Sequence, residues 1–321
     1  MHRVLIALVL SLLAAVAAPS VAQNYPDRPV RTIVTFPPGG GFDNVARLLV
    51  PGIAKALGQQ VIVDNRAGAT GQIGTTAGAR AEPDGYTLLF GGVGALAIAP
   101  HLTKTPYDPL KDFAPISMVA VNDGLLIVNP RFPAKDLKGF IETVKQSPGK
   151  YSFASAGTGS VTHVAGELLK TRAGLDMVHI PYKGDGPAIA DLVGGTVPIM
   201  VTVFATAAPF VKSGQVRPIA ALGTSRFPQL PDVPTLNESG FPGLTGGSWL
   251  GLYAPAGTPR DVIAKINAAV RFALQDKEVL ERLTAQGTKA VASSPEELGA
   301  FTRDEHAKWG QVIRDNGIKA E

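Results

Sequence analysis

Runs of β-branched and aromatic residues alternate with helical spacings along nearly the whole chain. Val30–Phe36 is β-rich and stops at Pro37-Pro38-Gly39-Gly40-Gly41. Asp43–Leu57 then places Val45, Leu48, Leu49 and Ile53 on one helical face, with Gly58 at the stop position. Val61–Asn65 predicts a strand, Ile73–Ala81 a helix, Pro83-Asp84-Gly85 a turn and Tyr86–Phe90 a strand. The plan repeats in the middle of the chain. A strand at Tyr151–Ser155 leads through Ala156-Gly157-Thr158-Gly159-Ser160 into a helix at Val161–Thr171. A strand at Met177–Pro181 leads through Lys183-Gly184-Asp185-Gly186-Pro187 into a helix at Ala188–Val193. Strands separated by helices predict an α/β fold with parallel pairing. Aligning Val45-Ala46 with Val164-Ala165 sets Gly40 over Gly159 and Asp43 over Thr162, an architectural echo that implies two α/β lobes.

Two further β-rich segments, Ile116–Asn129 and Ser248–Pro255, read as the connections between the lobes. Helices near Pro259–Gln275, Lys277–Gln286 and Pro295–Asn316 would return the chain to the first lobe. The expected division is therefore 23–122 with 249–321 for one lobe and 123–248 for the other, with a ligand cleft crossed by two strands. Leu192–Val211 carries no charge but contains Gly194-Gly195, Pro198 and Pro209, so a buried strand at Val197–Val203 followed by a short helix fits better than a membrane span. The chain's start is different. His2 and Arg3 precede the uncharged run Val4–Ala18 and the small-residue site at Pro19-Ser20-Val21-Ala22. That is the pattern of a secretory signal cleaved after Ala22, since spanning a bilayer takes about 20 apolar residues.

Composition narrows the chemistry. The 321 residues are 45% hydrophobic and 17% charged, which excludes a disordered chain. A net charge of +4 without a basic run gives no reason to expect nucleic acid. The absence of cysteine removes disulfides, thiolate metal sites and a Cys nucleophile. His101, His163, His179 and His306 have no second ligand at a metal-binding spacing, so neither metal nor cofactor is expected.

The glycine loops carry the functional reading. Each lies between a strand and a helix, where free backbone N–H groups and about half a positive charge attract anions. Glycine lets the backbone come close to a ligand. These features predict a small carboxylate held between Gly40–Asp43 and Gly157–Thr162, with the hydroxyls of Ser155, Thr158, Ser160 and Thr162 as further partners. Tyr182 and the Gly184 N–H are added from the loop after Met177–Pro181. Two alternatives stay open: ordinary turns with Asp43 and Ser160 or Thr162 as helix caps, and a hydrolase using a Ser160–His163 pair, for which no acid is evident. Asn44 stands where a dinucleotide fingerprint needs glycine, and neither a phosphate-loop lysine nor a Gly-x-Ser-x-Gly elbow is present.

Several motifs occur together and in order. They are Tyr25-Pro26-Asp27-Arg28-Pro29-Val30, Phe36–Asp43, Val61–Arg66, Pro83–Leu89, Ser160–Leu168, Pro181-Tyr182-Lys183-Gly184 and Ala254–Pro259. Together they resemble the Bug (TctC-type) solute-binding receptors of tripartite tricarboxylate transporters. The resemblance implies a periplasmic two-lobe binding protein of type II-like α/β fold, monomeric and without enzymatic activity. It would deliver a carboxylate to membrane permease subunits; the same closed lobes would equally serve a receptor that reports to a sensor kinase. It further implies that loop backbone, hydroxyls and ordered water hold the carboxylate rather than an arginine clamp. By position, the implied site comprises Pro38, Gly39, Gly40, Phe42 and Asp43, with Asp43 orienting the loop, and Ser155, Gly157, Thr158, Ser160 and His163. Two departures bear on the ligand. Thr202 occupies a position where many relatives carry an aspartate that can contact an amino group in amino-acid binders, so its absence argues against amino acids, and the loop at Gly91-Gly92-Val93-Gly94 is less polar than usual. With Gly92 and Thr202 in the site, the resemblance points to a mono- or dicarboxylate with an apolar or aromatic body.

Overall fold

A computed structural model describes residues 25–319. The expected signal segment, 1–22, lies outside the described residues. The chain runs β1 (Val30–Val34), α1 (Gly41–Leu57), β2 (Val61–Asn65), α2 (Gln72–Ala79), β3 (Thr87–Gly92), β4 (Phe113–Asn122) and β5 (Gly124–Val128). It continues as α3 (Leu137–Lys145), β6 (Tyr151–Ser155), α4 (Val161–Ala173), β7 (Met177–Pro181), α5 (Asp185–Gly194), β8 (Ile199–Val203), α6 (Phe204–Lys212) and β9 (Arg217–Ala221). The last part is β10 (Ser248–Pro255), α7 (Arg260–Ala273), α8 (Lys277–Ala285), β11 (Thr288–Ala290) and α9 (Pro295–Asp315).

These strands form two sheets, ordered β11-β4-β10-β3-β1-β2 and β7-β6-β8-β5-β9. Both are mixed, which corrects the expectation of parallel pairing. β1 lies parallel to β2 and β3, and β6 parallel to β7 and β8, because a helix returns the chain between them. β10 enters the first sheet antiparallel to β3, and β5 enters the second antiparallel to β8, because each arrives from the other lobe. The second strand, first strand, third strand and incoming strand stand in the same order in both sheets. Within β1 and β3, Val34 and Phe90 face one core cluster while Ile33 and Leu89 face another. Leu126 and Val128 are likewise separated from Leu125 and Ile127 in the second sheet. The period of two thus gives each sheet two buried faces, one under each layer of helices.

The segment Ile116–Asn129, predicted as one strand, is two: β4 belongs to the first sheet and β5 to the second, with Asp123 between them. A Cβ on Gly124 would lie 2.5 Å from the Gly246 carbonyl oxygen, so the two connections touch where they cross. Leu222 binds both, its N–H donating to the Gly124 oxygen at 2.8 Å and its oxygen accepting from Gly246 N–H at 2.9 Å. β9, β11 and α3 had no counterpart in the sequence reading. Among the described residues no helix is long and apolar enough to cross a membrane.

Candidate ligand-binding site

The two glycine loops fold alike. Gly40 N–H donates to the Pro37 oxygen at 3.3 Å, and Ser160 N–H to the Gly157 oxygen at 3.0 Å. Gly39 and Gly159 then take φ of +79° and +80°, a left-handed turn that glycine adopts freely. Gly40 and Ser160 follow as the helix caps with φ of −74° and −73°. In each loop the third helical residue bonds back four positions. Asp43 Oδ2 accepts from Gly39 N–H at 2.8 Å, and His163 Nδ1 from Gly159 N–H at 3.2 Å. The echo is therefore real but lies one residue from the expected alignment: Gly39 matches Gly159, and Asp43 matches His163.

Asp43 is a fastener. Its carboxylate is buried and also accepts from Arg47 Nε and Asn65 Nδ2, each at 2.8 Å, while Asn65 Nδ2 holds the Phe36 oxygen at 3.0 Å. Burial alone would raise its pKa, but the bonds from Arg47, Asn65 and Gly39 outweigh it and hold the group below the usual carboxylate range. His163 has the same task in the second loop. Its ring is buried and stacked at 4.2 Å on His179, whose Nε2 lies 2.7 Å from Ser155 Oγ. Burial, with Lys170 nearby, lowers the His163 pKa to about 4, and burial with His163 and Lys170 nearby lowers His179 to about 3. Both imidazoles are neutral near pH 7, and the bond from Gly159 places the His163 proton on Nε2.

Between the lobes lies a cavity of about 780 Å³, within the range of small-molecule sites. Of the expected site residues, Pro38, Gly39, Gly40, Phe42, Ser160, Thr162 and Gly184 line it. The others stand one layer behind. Asp43, Ser155 and His163 tie the loops as described; Gly157 packs against the Tyr182 carbonyl, which a Cβ would approach to 2.7 Å. Gly92 leaves room for the Phe42 ring, which a Cβ would meet at 2.4 Å. The Thr158 carbonyl accepts from the Thr70 hydroxyl at 2.6 Å. Tyr182 donates to Asp191 at 2.6 Å and, with burial and that bond, its pKa rises to about 12. Thr202 donates to Asp185 Oδ1 at 2.8 Å.

Four helices begin at the cavity wall. Gly40–Phe42 are the start of α1, Ser160–Thr162 of α4, Gly184–Pro187 of α5, and Ala205 and Thr206 of α6. α1, α5 and α6 have no side-chain cap, whereas Ser160 Oγ caps α4 by accepting from His163 N–H at 3.1 Å. Each uncapped end keeps N–H donors and a partial positive charge for an anion. The lining cations among the described residues are Lys183 and Lys212, both exposed. The wall between them, with Ile189, Val203, Ala208, Pro209 and Phe210, is apolar.

The hydrolase geometry is absent: Ser160 Oγ contacts the backbone N–H of His163 and the Thr162 hydroxyl, while the imidazole Nδ1 is used by Gly159. No group of three or more His, Asp or Glu residues among those described can hold a metal ion. Sequence reasoning missed Thr70, Asp185 and Asn122, which also line the cavity. Thr70 and its neighbour Ala69 take φ of +53° and +46°, a left-handed conformation costly for a β-branched residue. The run of glycines around them, Gly68 and Gly71, was the available signal.

Comparison with known proteins places this architecture. A family model described as the tripartite tricarboxylate transporter family receptor, TctC, matches residues 45–318. Protein BugT of Bordetella pertussis is 40% identical over 308 residues, covering 95% of this chain and 94% of BugT. The structure of MatC from Rhodopseudomonas palustris, with bound malate, shares 38% identity and a TM-score of 0.84, covering 90% of this chain and all of that one, 100%. A second R. palustris protein, solved with adipate, shares 31% identity and a TM-score of 0.87, with 92% and 99% coverage. The two-lobe fold, the backbone-lined cleft and a match across most of the chain lead to one conclusion: this chain belongs to the TctC family of solute-binding transport receptors, not to an enzyme family.

Proposed function

We propose that the chain is exported through removal of residues 1–22 and acts as a monomeric periplasmic receptor for a small mono- or dicarboxylate. It hands this ligand to the membrane permease of a tripartite tricarboxylate transporter and requires no cofactor. The lobes, 23–122 with 249–321 and 123–248, close about the crossing at Asp123–Gly124 and Gly246-Gly247. One observation carries the reading: helix N-termini from both lobes, three of them without a side-chain cap, meet at a cavity whose lining cations are exposed. A carboxylate at a helix start gains about 0.3–1 kcal/mol, and up to about 2 where water is partly excluded. Several such ends acting on one ligand replace a formal cation. The malate and adipate held by two relatives support the same ligand class.

A thermal-shift screen of small carboxylates against the mature protein tests this. A ligand at about 100 times its Kd adds about 2.7 kcal/mol, or several degrees at about 2 °C per kcal/mol for a chain of this size. Sugars or simple cations that raise the midpoint while carboxylates leave it unmoved refute the assignment.

A further inference from the structure

Asp185 is the one carboxyl-bearing residue among the described residues lining the cavity, and it is half-buried there. It opens α5 after β7, whereas its partner Thr202 is on β8. β7 and β8 flank β6, so the 2.8 Å bond between them passes over the carboxyl end of β6. There Ala156, the first residue beyond that strand, also lines the cavity. The two lysines that also line the cavity, Lys183 and Lys212, are exposed, whereas the Asp185 carboxyl is held by Thr202. Burial pushes its pKa up to about 6, opposed by the Thr202 bond alone.

An ionised carboxyl offers about four acceptor positions, and one of them is used here. Turning such a group toward a ligand without a compensating cation is unfavourable unless the ligand brings a donor. A second ligand carboxylate would face the same charge in a partly desolvated space, where like charges repel more strongly than in water. Thr202, whose presence argued against amino acids, thus holds an acid supplied by the neighbouring loop.

We propose that Asp185 sets the charge of the ligand: it accepts an N–H donor, ammonium or amide, from a monocarboxylate and excludes a second carboxylate. This rests on the carboxylate reading above and narrows it to nitrogen-bearing monocarboxylates.

Calorimetric titration of the mature protein with matched pairs tests it: 5-aminopentanoate against glutarate, and L-phenylalanine against 3-phenylpropionate, with phenethylamine as the acid-free member. The amino acid of a pair should bind at least tenfold more tightly. Asp185→Asn, which keeps an oxygen for Thr202, should bring that ratio close to one and improve glutarate binding, with the circular dichroism spectrum and Tm of the wild type. Glutarate or 3-phenylpropionate binding as well as its amino partner, or a preference that survives Asp185→Asn, overturns the role of Asp185 and leaves the carboxylate reading standing. Phenethylamine binding in preference to every acid overturns both.

Discussion

Replacing Asp43 by asparagine tests how the first glycine loop is held. The native carboxylate takes three donors at 2.8 Å: Gly39 N–H, Arg47 Nε and Asn65 Nδ2. Asparagine keeps one oxygen and turns an NH2 toward at least one of those donors. Arg47, whose side chain is 52% exposed, falls back on water and contributes little to the loss. Gly39 and Asn65 carry the weight, because Asn65 also holds the Phe36 oxygen and so fixes the loop's other end. A buried donor left without its acceptor costs about 1–3 kcal/mol. The expected total is about 2–3 kcal/mol, or about 4–6 °C at the midpoint. Ligand affinity should fall about tenfold, since the loop must then be ordered during binding. Scanning calorimetry and titration with the best carboxylate from the screen measure both. The pH dependence adds a signature. The folded pKa of Asp43 is depressed, so its stabilisation is present above the ordinary value of 3.8 and is lost as pH falls through the folded pKa. The gap between wild type and Asp43→Asn should narrow below about pH 4. Wild-type midpoint and affinity in the variant would refute this account of the loop.

Three other outcomes follow from the same geometry. Thr70→Val removes the hydroxyl bond to the Thr158 carbonyl while keeping the side chain's shape; affinity should drop about three- to tenfold by titration, with the midpoint within about 2 °C of wild type. Gly40→Val projects a branched side chain from a cavity-lining cap, 3.3 Å from the Pro37 oxygen at its Cβ; carboxylate-induced thermal shifts should vanish while the circular dichroism spectrum is unchanged. Burial lowers the pKa of His163 to about 4 and of His179 to about 3, against 6.5 for a free imidazole. Their contribution is therefore whole above pH 6.5 and is lost as pH falls toward 4, and His163→Gln should flatten the decline of Tm over that window.

Most of the framework was legible because it depends on local chemistry. Tyr151–Ser155, Met177–Pro181 and Val61–Asn65 are bounded by turn residues and emerge as strands with the predicted limits. The glycine loops were recognisable because a left-handed turn before a helix demands glycine at 39 and 159. What escaped depends on partners distant in sequence. The break at Asp123 arises where β4 and β5 join different sheets, which no run of hydrophobic residues records. Short β9 and β11 are strands because β5 and β4 offer them an edge. Asp185 reads as a turn residue in sequence; its bond from Thr202, seventeen positions away, and its place in the cavity lining are not written there. His163 read equally as a ligand contact or as packing beneath the helix; it accepts from Gly159 N–H and stacks on His179, a partner sixteen residues away that local sequence does not announce.

The central claim is that peptide N–H groups from both lobes grip an organic acid without a formal cation. A crystal structure of the mature protein with the carboxylate that most raises its Tm tests this most directly. The account predicts ligand oxygens about 2.7–3.2 Å from N–H groups at the start of α1 in one lobe and of α5 or α6 in the other, with Lys183 and Lys212 out of contact. A ligand whose carboxylate rests on either lysine ammonium, or on one lobe alone, would contradict it.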